Sequence, residues 1–448
     1  MHNDVMGQVA RAISDEGGRA YAVGGYTRGR EMGYSEDEDY DMEVFGLDPS
    51  ELALALSWYW TVKEIGREFG VFQIVVEGCT VELSIPRKEI KTATGRRGFS
   101  IELDPFMSIE SASLRRDFTC NAIYHDPLTG ITIDHLNGRD DIKNKMLRAC
   151  SPAFVESPDR VLRAMQLSSR LCFDVGDEVI LMSRELRREA ETIPVELRGK
   201  EWWKWACLSV EPERGLQFLE DVGWLNFFPI LNALRGIEQS PEHHPEGDAW
   251  EHTKLAVKYV LDYTPNYELP GYMAMILFAA LLHDTGKPYK QKGYTFHGHE
   301  KVSEEIAKKF CRRMGVPKGL TRRIALLVRN HMVYIHCKNP NTRTINRLAK
   351  RLHPAAISDL VVLMSADDKA KGGRLIESSI YKYNVMSKNL GVHYDPPRLI
   401  LTGKILIRLG VEPGPEMGEI LKRAFNAQLA GKFSEEYGAI NWFKENVL

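Results

Sequence analysis

The hydrophobic period of this chain changes once, near residue 158. Before that point, short runs that alternate or are wholly apolar are broken by glycine and polar stretches, as in strands joined by turns with a few helices between them. Beyond it, apolar residues recur almost wholly at helical spacing. Such a chain is expected to fold as an α+β head with a mixed sheet, followed by all-helical modules. At 448 residues it is too long for one hydrophobic core, and roughly 150 residues per domain anticipates about three domains. No internal repeat or low-complexity segment is visible.

Val5 to Glu16 reads as an amphipathic helix, and Ala20 to Val23 as a strand running into Gly24-Gly25, with a helix following through Arg30. Tyr40 to Phe45, Val71 to Val76 and Thr80 to Ile85 read as strands. Pro86 to Gly98 is polar, basic and Gly-punctuated, which predicts a mobile loop. Ser157 before Pro158 predicts an N-cap and a helix through Arg170. Boundaries are expected at Ser240 to Asp248 and at Tyr394 to Pro397.

Charged residues make up 27% and apolar residues 44% of the chain, which excludes a mostly disordered protein. The longest apolar run, Met273 to Leu282, is far shorter than the ~20 residues of a membrane span, so no membrane association is expected. The N-terminus shows no basic-then-apolar pattern, and seven cysteines without a Cys-x-x-Cys fit reduced thiols; a cytoplasmic location is anticipated. With a net charge of −2, any affinity for nucleic acid must come from local basic patches.

Gly24-Gly25, after a strand and before a helix, permits a tight turn whose N–H groups face a phosphate, though such a pair also serves simply as a turn. Asp39-Tyr40-Asp41 follows about fifteen residues on. Alternate residues of a strand share a face, so the two carboxylates project together and repel unless a cation lies between them. Oxygen ligands suit Mg²⁺, which in phosphoryl transfer orients a nucleotide and neutralises charge; a solvated acidic loop is the alternative. Glu82, on another strand, offers a third carboxylate or a surface charge. Arg115-Arg116-Asp117-Phe118-Thr119-Cys120-Asn121-Ala122 then concentrates two guanidiniums, a carboxylate and an amide, groups suited to triphosphate and ribose or to a structural ion-pair network.

Taken in order, Val23-Gly24-Gly25-Tyr26-Thr27-Arg28, Asp39-Tyr40-Asp41, the Arg115 to Ala122 segment and Asp134 to Asp141 resemble the class II tRNA nucleotidyltransferases, the CCA-adding enzymes. These share a polymerase-β-type head with bacterial poly(A) polymerases. The resemblance implies that Asp39 and Asp41 are catalytic and hold Mg²⁺. It implies that Gly25, Arg28, Arg116, Asp117, Asn121, Arg160 and Arg163 bind the nucleotide, and that the Pro86 to Gly98 loop repositions substrates. It also implies CTP, ATP and tRNA as partners. The family reads the incoming base with a Glu-Asp-x-x-Arg helix. This chain has Glu156-Ser157-Pro158-Asp159-Arg160: Arg160 matches, but Ser157 stands where the family has Asp. Asp159 is two helical positions round from Ser157, about 200°.

His252, His283-Asp284, His299, His331 and Asp367 form a second constellation, each on its own segment. Imidazole with carboxylate suits Zn²⁺, Mn²⁺, Fe or Ni²⁺. The series resembles the HD phosphohydrolase superfamily. That likeness implies His252, His283, Asp284 and Asp367 as ligands of a first metal such as Ni²⁺ or Mn²⁺, with His299 and His331 extending the site to two. It also implies a phosphatase or 2′,3′-cyclic phosphodiesterase activity. Asp368 rivals Asp367, and Lys287 is a candidate phosphate contact. Basic clusters at Arg96-Arg97, Lys308-Lys309, Arg312-Arg313, Arg322-Arg323, Arg343 to Arg351 and Lys369 to Arg374 are candidate RNA contacts or solvated helix faces. Leu399 to Lys432 resembles the family's tRNA-holding tail.

The expected organisation is therefore a polymerase-β-like nucleotidyltransferase head (1–147), a helical neck for base recognition (148–238), an HD domain (239–385) and a helical tRNA-binding tail (386–448). The expected activity is template-independent addition of CCA to tRNA 3′ ends. The rivals are a poly(A) polymerase, a CC- or A-adding enzyme with the same head, and an HD nucleotide phosphohydrolase whose head only binds nucleotide.

Overall fold

A computed structural model of the chain describes residues 5–33, 40–66, 70–91, 99–264, 269–372 and 377–447. By its internal contacts the chain divides into two compact units, residues 1–205 with 209–227, and residues 206–208 with 228–448.

The first unit opens with α1 (Val5–Asp15), β1 (Arg19–Ala22), α2 (Gly25–Glu31), β2 (Tyr40–Phe45) and α3 (Pro49–Ser57). Then come β3 (Lys63–Gly66), β4 (Val71–Val76), β5 (Cys79–Ser84), β6 (Arg87–Lys91), β7 (Phe99–Leu103) and α4 (Ile109–Ser113). Next are β8 (Tyr124–His125), β9 (Thr132–Ile133), α5 (Gly138–Lys143) and β10 (Met146–Leu147). The unit continues through α6 (Asp159–Leu171), β11 (Asp174–Val175), α7 (Asp177–Glu185), α8 (Val195–Leu208) and α9 (Pro212–Asp221).

Seven strands form a mixed sheet in the order β3-β4-β5-β2-β1-β8-β9, with β2 and β5 parallel and the other neighbours antiparallel. Met42 and Val44 of β2 enter a core with Val9 and Ile13 of α1, Leu52 and Leu56 of α3, and Phe72, Ile74, Val81 and Leu83 of the sheet. The period of two sends Asp41, Glu43 and Phe45 to the opposite face, where Phe45 meets Tyr21 and Tyr124 in a second cluster. One face of β2 is thus committed to the core, which leaves the other to the carboxylates.

Two expectations are corrected here. Pro86 to Gly98 is not all loop, because Arg87–Lys91 pairs antiparallel with Phe99–Leu103 as a two-stranded ribbon; residues 92–98 lie outside the described residues. Ser157 is not the N-cap of the neck helix. Pro158 takes that position and α6 begins at Asp159.

The second unit contains α10 (Pro229–Asn232), α11 (Ala249–Tyr263), α12 (Pro270–Leu282), α13 (His299–Arg313), α14 (Lys318–Asn330) and α15 (Val333–His336). It ends with α16 (Thr342–Leu352), α17 (Ile357–Ala370), α18 (Glu377–Asn389), α19 (Gly403–Arg408), α20 (Pro415–Leu429) and α21 (Glu436–Asn446). The capping follows elementary rules. Asp248 caps α11 by accepting from Trp250 N and Glu251 N, and Asn341 caps α16 through Thr344 N. Every residue from Met273 to Leu282 is buried, so the apolar run expected to be too short for a membrane is a core helix. No helix among the described residues is long and apolar enough to cross a membrane.

Candidate functional site

In the first unit, the turn after β1 brings the head residues together. Val23 N donates to Asp41 O at 3.0 Å, which fixes the end of β1 beside β2. Gly24 has φ +79° and caps α2, with Gly25 its first residue. A Cβ on Gly24 would stand 3.1 Å from Asp41 Oδ2 and 3.6 Å from Arg116 Nη2. A side chain there would press on the carboxylate and would also sit at a positive φ that L residues rarely adopt, so glycine fits the turn. Asp39 lies outside the described residues, so the expected pair is seen through Asp41 alone. Glu82, exposed, is the register partner of Asp41 across the parallel β2–β5 ladder, which puts a further carboxylate on the same face.

Behind this edge runs a connected polar network. Arg28 is buried and its Nη1 donates to Asn121 Oδ1. Asn121 Nδ2 donates to Asp117 Oδ1 at 3.1 Å, and Phe118 N donates to the same oxygen at 2.8 Å. Arg163 grips Asp117 Oδ2 with Nε at 2.6 Å and Nη2 at 2.5 Å. Burial alone would raise the Asp117 carboxyl, but Arg163, the Asn121 amide and Arg116 hold it well below the usual carboxylate range. Arg116 Nε donates to Asn121 O at 2.9 Å while its Nη1 lies 3.3 Å from Glu43 Oε2, which also accepts from Tyr124 Oη at 2.5 Å. Sequence reasoning missed Glu43, although it follows Asp41 by two residues on the same face of β2.

In the neck, Arg160 donates through Nη1 to Ala153 O and through Nη2 to Arg115 O, both at 2.6 Å. Ser157 Oγ donates to Asp159 Oδ1 at 2.5 Å. Pro158 has no N–H to offer the hydroxyl, and Arg160 N donates to the Ser157 carbonyl at 3.1 Å. Asp159 is thus not turned away from Ser157 as helical spacing implied; the two side chains meet.

In the second unit, all six residues of the histidine–aspartate series converge and all are buried. His252 Nε2 lies 2.9 Å from Asp367 Oδ1 and 3.2 Å from His283 Nε2. His283 Nε2 lies 3.1 Å from Asp284 Oδ2. Asp284 Oδ1 lies 3.1 Å from His299 Nε2 and 3.7 Å from His331 Nε2, and those two nitrogens are 3.2 Å apart. Asp367, not its neighbour Asp368, closes on His252. Gly286 permits the convergence: a Cβ there would fall 2.2 Å from His299 O, so the turn after His283-Asp284 can pack directly on the start of α13.

The other ring nitrogens explain the direction of the imidazoles. Nδ1 of His283, His299 and His331 lies 2.6, 2.9 and 2.7 Å from the carbonyls of Ala280, Phe296 and Val328. Nδ1 of His252 lies 2.7 Å from Glu246 Oε1, which also meets His244 Nδ1 at 2.8 Å. Each Nδ1 thereby carries a proton, and four Nε2 lone pairs face inward. Lone pairs 3.2 Å apart repel unless a proton or a cation lies between them. Asp284 Oδ2 is buried and forms no hydrogen bond of good geometry, although Lys287 Nζ is 2.5 Å away. The donor set therefore fits divalent cations, with Asp284 common to a group with His252 and His283 and to a group with His299 and His331. Burial pushes His331 down to about 4; burial also opposes protonation of His283, but Asp284 and Asp367 override it and raise that ring.

Glu246, His244 and Tyr334 were not singled out by sequence, and Lys371 was read within the Lys369 to Arg374 cluster as a candidate RNA contact. Tyr334 Oη donates to Asp367 Oδ2 at 2.8 Å and Lys371 Nζ lies 2.9 Å from the same oxygen, leaving Oδ1 for the centre. The i, i+4 spacing of Asp367 and Lys371 on one helix was the available signal.

Comparison with known proteins identifies the family. Residues 20–148 match the family model of the poly A polymerase head domain, and residues 249–369 that of the HD domain. The multifunctional CCA protein of Xanthomonas campestris pv. campestris (strain B100) is 30% identical over 426 residues, covering 92% of this chain and 98% of that protein. Its counterpart in Xylella fastidiosa (strain 9a5c) is 31% identical over 371 residues, 79% and 85% of the two chains. In fold, the chain is similar to the Bacillus stearothermophilus CCA-adding enzyme in complex with CTP (TM-score 0.58, 20% identity, 99% and 98% covered). It is also similar to the Thermotoga maritima CCA-adding enzyme complexed with tRNA (TM-score 0.61, 16% identity, 98% and 94% covered). With its head and HD segments both matched and nearly the whole length of a 30% identical relative covered, this chain belongs to the family of the multifunctional CCA proteins.

Proposed function

We propose that this protein adds C, C and A to tRNA 3′ ends without a template, using CTP and ATP and releasing pyrophosphate. The observation that carries the reading is the buried Arg28–Asn121–Asp117–Arg163 network, set behind the turn that brings Gly24 against Asp41. Arg28, Arg116 and Arg163 bring positive charge to a triphosphate, Arg163 through the Nη1 that Asp117 does not engage, while Asp117, with both oxygens engaged, orients Arg163 and so acts as a positioning residue. The terminal 3′-hydroxyl attacks the α-phosphate in line, and the enzyme's contribution is positioning and fixed charge. Asp39 and Asp41, with Mg²⁺, complete the centre; a cation held there supplies positive charge opposite the phosphate oxygens. Arg160, tied to two carbonyls, reads the base, with Ser157 beside it.

In the second unit, His252, His283, Asp284, His299, His331 and Asp367 hold divalent metal such as Ni²⁺ or Mn²⁺ for hydrolysis of a phosphoester, a 2′,3′-cyclic phosphate being the expected substrate. The protein works in the cytoplasm, where tRNA is matured.

The deciding experiment extends a tRNA lacking its 3′ end with each labelled NTP singly and together. Wild type should add C, C and A and stop, and Asp39→Ala and Asp41→Ala should add nothing. Unlimited A incorporation would mean a poly(A) polymerase, and incorporation stopping after C or needing a preformed CC end would mean a partial adder. Hydrolysis of 2′,3′-cyclic nucleotides with added Ni²⁺ or Mn²⁺ should vanish in His283→Ala; persistence would assign it elsewhere.

A further inference from the structure

From Ile306 to Ser358 the sequence holds no aspartate or glutamate in 53 residues, while it holds 13 lysines and arginines. A chain with net charge −2 thus concentrates +13 in one segment. Part of that charge is neutralised from outside the segment. Lys308 pairs with Glu304 and Glu305, Arg323 with Asp359, and Arg329 with Glu300 and Glu304. Of the cations that remain, Lys309, Arg312 and Arg313 lie exposed on α13, and a group of four lies on α16. Arg343, Arg347, Lys350 and Arg351 are exposed, and among the described residues none of the four is paired with a carboxylate.

Their spacing makes them one surface. At about 100° per residue, positions 343, 347, 350 and 351 fall within an arc of roughly 100° and extend about 12 Å along the axis. Ile345, Leu348, Ala349 and Leu352 occupy the opposite side and are buried. Lys350 Nζ sits 4.4 Å from the Phe425 ring centroid, which ties the stripe to α20. Arg and Lys with no acids interleaved repel one another. An ordinary solvated helix face would relieve that repulsion with i, i+4 carboxylates, as Lys308 does with Glu304. A row of cations left without such relief matches a partner carrying regularly spaced negative charge.

We propose that the outer face of α16 is a phosphate-binding surface for the backbone of the tRNA substrate. The proposal rests on the tRNA reading above, and it places a backbone contact on the helical unit outside the nucleotidyl-transfer machinery. Contacts of this kind carry no sequence information, which suits an enzyme that must accept every tRNA.

The test uses the full chain, a tRNA lacking its 3′ end, and two variants, Arg343→Glu/Arg347→Glu/Lys350→Glu and the neutral Arg343→Gln/Arg347→Gln/Lys350→Gln. Three lost phosphate contacts should lower the slope of log K against log salt by about 2–3 and weaken binding roughly tenfold or more near 50 mM salt, with the gap closing as salt rises. The Gln variant should show the same loss of slope with only the small fall in thermal midpoint that losing the Lys350–Phe425 contact brings, which separates lost contact from lost folding. Binding and slope equal to wild type in both variants would overturn the proposal and leave an acidic protein surface as the occupant. Wild-type protein with no affinity for tRNA would instead sink the functional reading itself.

Discussion

Removing the carboxylate of Glu246 should weaken metal binding at the histidine cluster although Glu246 is not itself expected to bind the first ion. Its Oε1 accepts from Nδ1 of His252 at 2.7 Å and of His244 at 2.8 Å, and its side chain is 5% exposed, so solvent screens the pair little. Burial alone would raise the carboxyl, but the two imidazole N–H donors bring it down to about 2, which keeps the acid ionised. In Glu246→Ala, the His252 ring loses both its orienting acceptor and the negative charge that makes Nε2 more basic. Loss of such a partner lowers metal affinity about 10–100-fold, or about 1.4–2.7 kcal/mol. A lone hydrogen bond between neutral groups would contribute only about 0.5–1.5 kcal/mol. The buried charge and the shared second imidazole place Glu246→Ala in the upper half of the larger range. Glu246→Gln keeps an acceptor but forces an amide N–H₂ toward the place of Oε2, which is buried without a partner, so a loss of about tenfold is expected. Calorimetric titration of the metal-free full-length protein with Mn²⁺ reads both. If both variants bound within twofold of wild type while His283→Ala bound nothing, the carboxylate would have no part in orienting the ligand.

Four further outcomes follow from the geometry. Gly24→Ala combines a φ of +79° with a Cβ 3.1 Å from Asp41 Oδ2, so it should cost about 1–3 kcal/mol of head stability and lower kcat for nucleotide addition more than KM for tRNA; unchanged kinetics would refute the close approach. Asp117→Asn leaves the half-buried Arg163 facing a neutral amide and, with solvent screening part of the charge, should destabilise the head by about 1–3 kcal/mol, measured as faster hydrogen exchange in α6; no change in exchange would mean that the carboxylate does not hold Arg163 in solution. In the metal-free protein, NMR titration should find His283 above the usual imidazole value and His331 near 4; the reverse order would remove Asp284 and Asp367 as the cause. Because the folded-state value for Glu246 lies below its ordinary 4.5, the stability it contributes is full above about 4.5 and is lost as pH falls toward about 2; a Glu246→Gln protein should therefore show a flatter acid limb in thermal melts.

Much of the fold is legible in the sequence because burial on one side writes itself as a period. Tyr40 to Phe45 and Val71 to Val76 coincide with β2 and β4, since the sheet's core face demands an apolar residue at every second position. The histidine–aspartate set is legible for a different reason: His and Asp recur at the ends or inner faces of separate helices, and few structural roles require that. Glu246 is not legible, because it lies six residues before His252 in a loop, where no repeat connects the two. The β6–β7 ribbon was hidden by its basic, glycine-punctuated composition, which reads as loop although backbone pairing and the packing of Leu103 on the head core hold it. Ser157 misled for a local reason, since the capping role open to a serine before proline was replaced by a side-chain acceptor two residues on.

Two of the inward-facing imidazoles do a second job. His283 and His331 follow the last residues of α12 and α14, and each sends Nδ1 back to the carbonyl three residues before it. A proton that selects the ring's tautomer therefore also satisfies an acceptor that the ending helix would otherwise leave dry. Termination and coordination are thus welded at these two corners: a substitution that removed the ring would strip a ligand and fray a helix together. Selection for the proposed metal site and selection on folding cannot act separately there, even in a descendant that had no use for an ion.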